Sequence, residues 1–227
     1  MKKIIFSLCI GAISIAFTFL SEKPFEGVIE YSVNVPTKPG AKPNINRFTV
    51  YIKGDKLRID NEVSFGMIRT IMDFKKDNYL MLYITDNGKK YVQKAKKEIS
   101  PPNTAEVRIM KDSSKILKGF KCDLAMTKMK NREQVMLFAN KHNLPLAYTK
   151  LPGGFTYGMT GVHPKLDDKL ILSLELSDTK NTITIRVETI KETMVSNNMF
   201  EYSQKDFKEV SKEEINKLIE QAFNAPD

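Results

Sequence analysis

Phe48–Asp60 reads F-T-V-Y-I-K-G-D-K-L-R-I-D, and its pattern decides the fold class. Phe48, Val50 and Ile52 alternate with Thr49, Tyr51 and Lys53, the period-2 spacing of a half-buried strand. Gly54-Asp55 supplies a two-residue turn, with glycine taking the positive φ that a type II′ turn needs at its first central position. Folding about that turn predicts Lys53 opposite Lys56, Ile52 opposite Leu57, Tyr51 opposite Arg58 and Val50 opposite Ile59. Apolar side chains then share one face and polar ones the other, so a one-residue slip would expose the apolar set. Arg58 across from Tyr51 predicts a cation–π contact worth about 0.5–1 kcal/mol at an exposed site. The hairpin therefore belongs to a sheet with something apolar beneath it.

Before that hairpin stands a segment of another kind. Met1-Lys2-Lys3 is a basic start, Ile4–Leu20 is an apolar run, and Glu22-Lys23-Pro24 ends it, which is the layout of a secretory signal. Residues 1–21 are expected to be the signal peptide, and 22–227 a single β-rich domain. The run is about long enough to cross a bilayer as a helix, so a retained N-terminal anchor is the alternative. Removing the signal takes Lys2 and Lys3 from a net charge of +9 and leaves +7. Hydrophobic content of 41% and a mean hydropathy of −0.32 give no ground for further membrane spans. Arginine occurs only at Arg47, Arg58, Arg69, Arg108, Arg132 and Arg186, so the basic excess is mostly lysine. Nucleic-acid readers rely on arginine for bidentate contacts, and nucleic acid is not an expected partner. Lys89, Lys90, Lys94, Lys96 and Lys97 read as a solvated sheet edge, or as a patch drawn to anionic headgroups. Past the signal only Cys122 remains, so no disulfide framework is available; its alternation with Leu124 and Met126 predicts a buried thiol.

The rest of the chain continues in strands. Phe25–Val33 reads as the first, and Pro36, Pro39, Gly40 and Pro43 break the chain into a loop before the hairpin. Met67–Phe74 and Tyr79–Ile84 are apolar runs joined by the turn Lys75–Asn78. The second run is apolar on both faces, so it is either covered twice or turned toward a ligand on one side. Asp86-Asn87-Gly88 turns into a short strand at Tyr91-Val92, and Pro101-Pro102 lies in a second loop. Leu124–Met129, Val135–Ala139 and Leu144–Thr149 read as strands, with Asn131-Arg132 in a turn. Leu151–Gly161 combines four glycines with Phe155, Tyr157 and Met159; it is either a flap over a cavity mouth or a bent strand. Lys169–Leu176 and Thr182–Ile190 alternate as a second hairpin, with Ile183, Ile185 and Val187 facing in. Ser211 and Glu214 form a capping box, and Ile215, Leu218, Ile219, Ala222 and Phe223 repeat at helical spacing. That C-terminal helix should pack on the sheet.

No reaction chemistry is legible. His142 and His163 fall in expected loops without a partner at metal-ligand spacing, and no nucleophile elbow or phosphate loop occurs. Asp86, Asp167 and Asp168 sit beside turn residues and read as turn formers. A hydrolase would need a histidine and a carboxylate brought together by the fold. Three motifs do carry a resemblance: Phe25-Glu26-Gly27-Val28-Ile29-Glu30-Tyr31, the hairpin Tyr51–Arg58, and Gly119-Phe120-Lys121-Cys122 after Ile116-Leu117. With the signal segment and the terminal helix, they resemble a family of exported bacterial domains of unknown function, grouped with the lipoprotein-carrier fold of the LolA and LppX type. The resemblance runs over roughly residues 25–223.

It implies a mainly β (α+β) fold: a curved antiparallel sheet or half-barrel, with the C-terminal helix packed on it. It also implies an apolar concavity that takes acyl chains. The residues expected to line it are Val50, Ile52, Leu57, Ile59, Tyr79, Met81, Tyr83, Phe155 and Tyr157. The expectation is a non-enzymatic binding protein of the periplasm or outer cell envelope, without cofactor or metal, holding a lipid or lipidated peptide and touching membrane only peripherally. The alternative is a structural or protein-interaction module of the envelope with no small ligand, its sheet faces filled by its own side chains.

Overall fold

The structure, a computed structural model, describes residues 24–35, 44–63, 65–95, 106–111, 115–129, 132–143, 166, 169–178 and 182–223. Outside these lie the proline loop 36–43, the loop around Pro101-Pro102, the strand expected at Leu144–Thr149, the glycine loop 151–161, His163 and Asp167-Asp168. The strands are β1 (Gly27–Val35), β2 (Asn44–Lys53), β3 (Lys56–Val63), β4 (Gly66–Asp73), β5 (Asn78–Thr85) and β6 (Lys90–Ala95). β7 (Val107–Met110), β8 (Ile116–Leu117), β9 (Phe120–Met129), β10 (Arg132–Asn143), β11 (Lys169–Asp178), β12 (Thr182–Glu192) and β13 (Lys208–Glu209) follow, and α1 (Lys212–Phe223) ends the series.

They make one open, curved 13-stranded sheet in the order β13-β6-β5-β4-β3-β2-β1-β12-β11-β10-β9-β7, with β8 paired to β9 off that path. Two meanders, β1–β6 and β9–β12, are joined where β12 returns antiparallel to β1, and β7 and β8 each pair with β9. All pairings are antiparallel except β13 with β6, so the sheet is mixed rather than wholly antiparallel. The β2–β3 hairpin has the register read from its alternation, Lys53–Lys56 through Val50–Ile59. Gly54 sits at φ 52, and Asp55 is not in the positive-φ region, as a type II′ turn requires.

Val50, Ile52, Leu57 and Ile59 lie on what is here called the inner face. The largest buried cluster joins them to Ile29, Tyr31 and Val33 of β1, Met136 of β10, Leu172 and Leu174 of β11, and Ile185 and Val187 of β12. Tyr31 donates its hydroxyl to the Ile171 carbonyl two strands away at 2.9 Å and stacks on Phe48. In β11 the alternation fails at a register shift opposite Leu137-Phe138, where Ile171 and Ser173 are buried along with Leu170, Leu172 and Leu174. A bulge lets consecutive residues turn toward the protein, which alternation alone does not foresee. His142 lies in β10, not in a loop, and Arg132 opens β10 rather than closing a turn.

The segment after β12 wraps the opposite end of the sheet. Val195 and Phe200 bury Ile71, Leu80, Leu82 and Val92 on the outer face of β4–β6, assisted by the half-buried Met199, Tyr202 and Phe207. The chain then pairs along the β6 edge as β13, where the Val210 amide bonds the Val92 carbonyl at 3.0 Å. Finally α1 lies on the inner face, with Val210, Ile215 and Leu218 against Ile68, Met81, Tyr83 and Tyr91. Its capping box forms: Ser211 N donates to Glu214 Oε2 at 2.8 Å and Glu214 N to Ser211 Oγ at 3.2 Å. The doubly apolar β5 is thus covered by the chain itself on both faces. Lys90 and Lys94 are not on a bare edge, because β13 covers β6; Lys94 pairs with Glu209 at 2.7 Å.

Candidate functional site

The inner face is sealed in its middle. Ile29, Val33, Val50, Leu170, Leu172 and Leu174 are 0% exposed. Of the residues expected to line a cavity, Val50, Ile52, Leu57 and Ile59 are buried at 2% exposure or less, and Tyr79 belongs to the same cluster. Met81 and Tyr83 lie beside α1, with Tyr83 buried and Met81 half-buried. Phe155 and Tyr157 are outside the described residues. Side chains packed this closely hold the sheet together and present almost no surface to solvent.

The face loosens toward the end where β1 and β11 finish and β12 begins. Register places Val35 beyond Val33 on β1, Ile183 and Leu176 paired between β12 and β11, Leu176 beside Gln134 of β10, Gln134 beside Thr127 of β9, and Thr127 beside Val107 of β7. Val35, Ile183, Leu176 and Val107 are half-buried, as is Ile109 one pair deeper. In the same row Thr127 Oγ1 donates to Gln134 Oε1 at 3.2 Å, and both residues are buried. On β3, Asn61 Oδ1 is, among the described residues, the one buried side-chain oxygen or nitrogen without a hydrogen-bond partner. An oxygen left in that state costs free energy. The arrangement is a short apolar group, Val35, Ile183 and Leu176, divided from Val107 by the buried Gln134–Thr127 pair.

Sequence reasoning did not single out Val35, Val107, Ile109, Leu176 or Ile183 as site residues. Alternation identified Ile183 as inward-facing, but period-2 spacing does not tell the sealed middle of a strand from its looser end. Nor did it find the ionic cluster on the outer face. Asp60 accepts from Arg58 Nε and Arg69 Nε, each at 2.8 Å, and forms a second contact with each guanidinium. Arg58 also donates to the Met199 carbonyl at 3.1 Å and lies 5.0 Å from the Tyr51 ring centre. The cation–π pair expected from register is present, but Arg58 is buried beneath the C-terminal segment rather than exposed.

Burial works to raise the Asp60 pKa; the hydrogen bonds and charges of Arg58 and Arg69 outweigh it and hold the carboxyl below its ordinary range. Burial pushes the Tyr83 phenol up to about 12 and raises the Cys122 thiol as well. Cys122 is buried as expected, whereas Leu124 and Met126 are only half-buried. The Cys122 amide bonds the Lys115 carbonyl at 2.9 Å, and its side chain joins the largest buried cluster. Among the described residues no three His, Cys, Asp or Glu side chains gather to hold a metal ion, and no helix there is long and apolar enough to cross a membrane.

No protein-family model and no curated protein matches the chain. Among solved structures, two crystal forms of PNGF-II align over 86% of this chain with TM-scores of 0.51 and 0.52 and 13% identity. The chain spans about a third of those proteins, 33% and 34% of their length, and at that identity the likeness is one of fold alone. A LolA-superfamily protein from Nitrosomonas europaea aligns over 78% of this chain and 90% of its own, with 8% identity and a TM-score of 0.36, an overlap too loose to carry an argument.

Proposed function

We propose that this chain is an exported, non-enzymatic binding protein that holds a lipid or lipidated peptide against the loosened end of its inner face. The observation that carries the reading is the half-buried group Val35, Ile183 and Leu176 at the end of an apolar face sealed in its middle. Each methylene buried there is worth about 0.8 kcal/mol before ordering costs, so an acyl chain would draw useful affinity from a short strip. The basic start and apolar run of residues 1–21 support export to the periplasm or outer envelope. The three motifs that resemble the exported family grouped with LolA and LppX support the carrier assignment. The site now proposed differs from the sealed hairpin residues that the sequence suggested.

Thermal unfolding with and without long-chain lipid tests the reading. The wild type should gain several degrees, and Leu176→Ser with Ile183→Thr should lose most of that gain while remaining folded. Equal gains in both proteins, or none in either, would refute this site.

A second reading, an envelope interaction module without a small ligand, is favoured by a different observation. Met110, Leu124, Met126 and Val135 form a half-buried apolar group on the outer face of β7, β9 and β10. Cross-linking from Met126 to a neighbouring envelope protein, with no lipid bound, would favour that reading.

A further inference from the structure

Two large apolar side chains, Ile116 and Met194, stand out as exposed among the described residues, at 73% and 90%. A single exposed hydrophobic residue is ordinary; the placement of this pair is not. Met194 follows the end of β12, where Glu192 faces Gly27 at the start of β1. Ile116 faces Lys121 in the small β8–β9 hairpin, at the start of β9. Because β12, β11, β10 and β9 alternate in direction, the end of β12 and the start of β9 lie at the same end of the sheet. Three strand spacings separate them across the sheet, about 14 Å, and Met194 also stands several residues farther along the strand direction than Ile116.

This end is basic. The hairpin Lys115-Ile116-Leu117-Lys118-Gly119-Phe120-Lys121 contains no acidic residue, and its lysines are exposed. Its tip is Lys118-Gly119, both at positive φ (50 and 84), and Lys118 is exposed. Lys191 is exposed near Met194. Among the described residues the neighbouring acids are Asp123, Glu192 and Glu26, and the Glu26 carboxylate already accepts from the Val195 amide at 3.1 Å. Leu117 and Phe120 turn inward and pack on the main core, so the hairpin has a fixed base under its exposed tip.

We infer that this end of the sheet docks on an anionic lipid surface, with Ile116 and Met194 entering the interface and Lys115, Lys118 and Lys191 meeting the headgroups. Apolar tips flanked by lysines fit that boundary, because the hydrocarbon leaves water while the ammonium groups stay at the charged layer. The inference rests on the proposed export and adds a defined docking surface to it. It places the docking surface at the opposite end of the sheet from the proposed cargo strip.

Co-sedimentation with vesicles of phosphatidylcholine, alone and mixed with phosphatidylglycerol, tests it on the processed protein recovered from expressing cells. Wild type should sediment with the anionic vesicles and not with the neutral ones. Lys115→Gln and Lys118→Gln should each weaken binding about fivefold, and Ile116→Asp with Met194→Asp should abolish it. All four positions are exposed, so the unfolding temperature and any bound cargo should stay at wild-type levels; their loss would mark a structural role instead and overturn the inference. Absence of wild-type binding, or unchanged binding of the Ile116→Asp, Met194→Asp protein, would also overturn it. A fall in oligomeric mass on the same substitutions would assign the patch to contacts between copies, against lipid docking. Cargo failure with docking intact would refute the loosened-end site alone.

Discussion

Gly27 has no room for a side chain. A Cβ there would lie 2.1 Å from the Lys191 carbonyl oxygen and 3.0 Å from the Phe25 ring. Both belong to the junction that joins the two meanders, so the glycine of the Phe25-Glu26-Gly27 motif is a packing requirement. Gly27→Ala should cost about 1–3 kcal/mol, the usual range for overfilling a tight site. Urea unfolding of the two proteins checks it, and an unchanged midpoint would contradict the steric account. Asp60 makes a second residue-scale case. Its folded pKa lies below the ordinary 3.8 because two guanidiniums overcome the effect of burial. The stability it contributes is therefore present above its unfolded value and is lost as pH falls through the lower folded value. Asp60→Asn should cost about 1.5–3 kcal/mol at neutral pH, the range for hydrogen bonds to charged groups. It should also flatten the acid limb of a stability-against-pH curve, and an acid limb as steep as wild type would contradict this.

The C-terminal segment, with its strap and helix, is the element that completes the sheet. Lys53 Nζ holds the Val195 carbonyl at 2.6 Å and Arg58 the Met199 carbonyl at 3.1 Å, so cations from the first hairpin grip the strap's backbone. Phe200 sits in the outer cluster with Leu80 and Leu82, and Phe200→Ala should cost about 3 kcal/mol. Ser211→Ala removes only a cap and should cost about 0.5–2 kcal/mol. Hydrogen exchange separates the two: the cap variant should free amides of α1 alone, and the core variant those of β4–β6 as well. Exchange confined to α1 in both would mean the strap is not holding the sheet. At this scale much was legible in the sequence. The hairpin register and the capping box rest on neighbours in the chain, where spacing fixes geometry. The strap was not legible, because Thr193–Phe207 has neither period and takes its place from partners more than 100 residues away in sequence. Arg58 shows the same limit: its cross-strand partner followed from register, but its burial depends on a segment that no local pattern locates.

At the scale of the whole molecule, an open curved sheet has two faces and two ends, and this chain treats all four differently. The inner face is closed in the middle and looser where Leu176 and Ile183 stand. The outer face is strapped over β4–β6 and carries ion pairs such as Arg186 with Glu175 elsewhere. One end bears Ile116 and Met194 among lysines, and the other borders the proposed cargo strip. The predominance of β-structure and the C-terminal helix on the sheet could be read from periodicity. Which apolar positions stay half-buried rather than sealed could not, since alternation reports a face and says nothing of what covers it. Native mass spectrometry of the processed protein, released gently from the envelope of its host, tests the cargo claim most directly. The account predicts a polypeptide carrying one added lipid-sized mass, retained by Ile116→Asp and lost with Leu176→Ser, Ile183→Thr. A bare polypeptide mass that stays bare after incubation with long-chain lipid would contradict it.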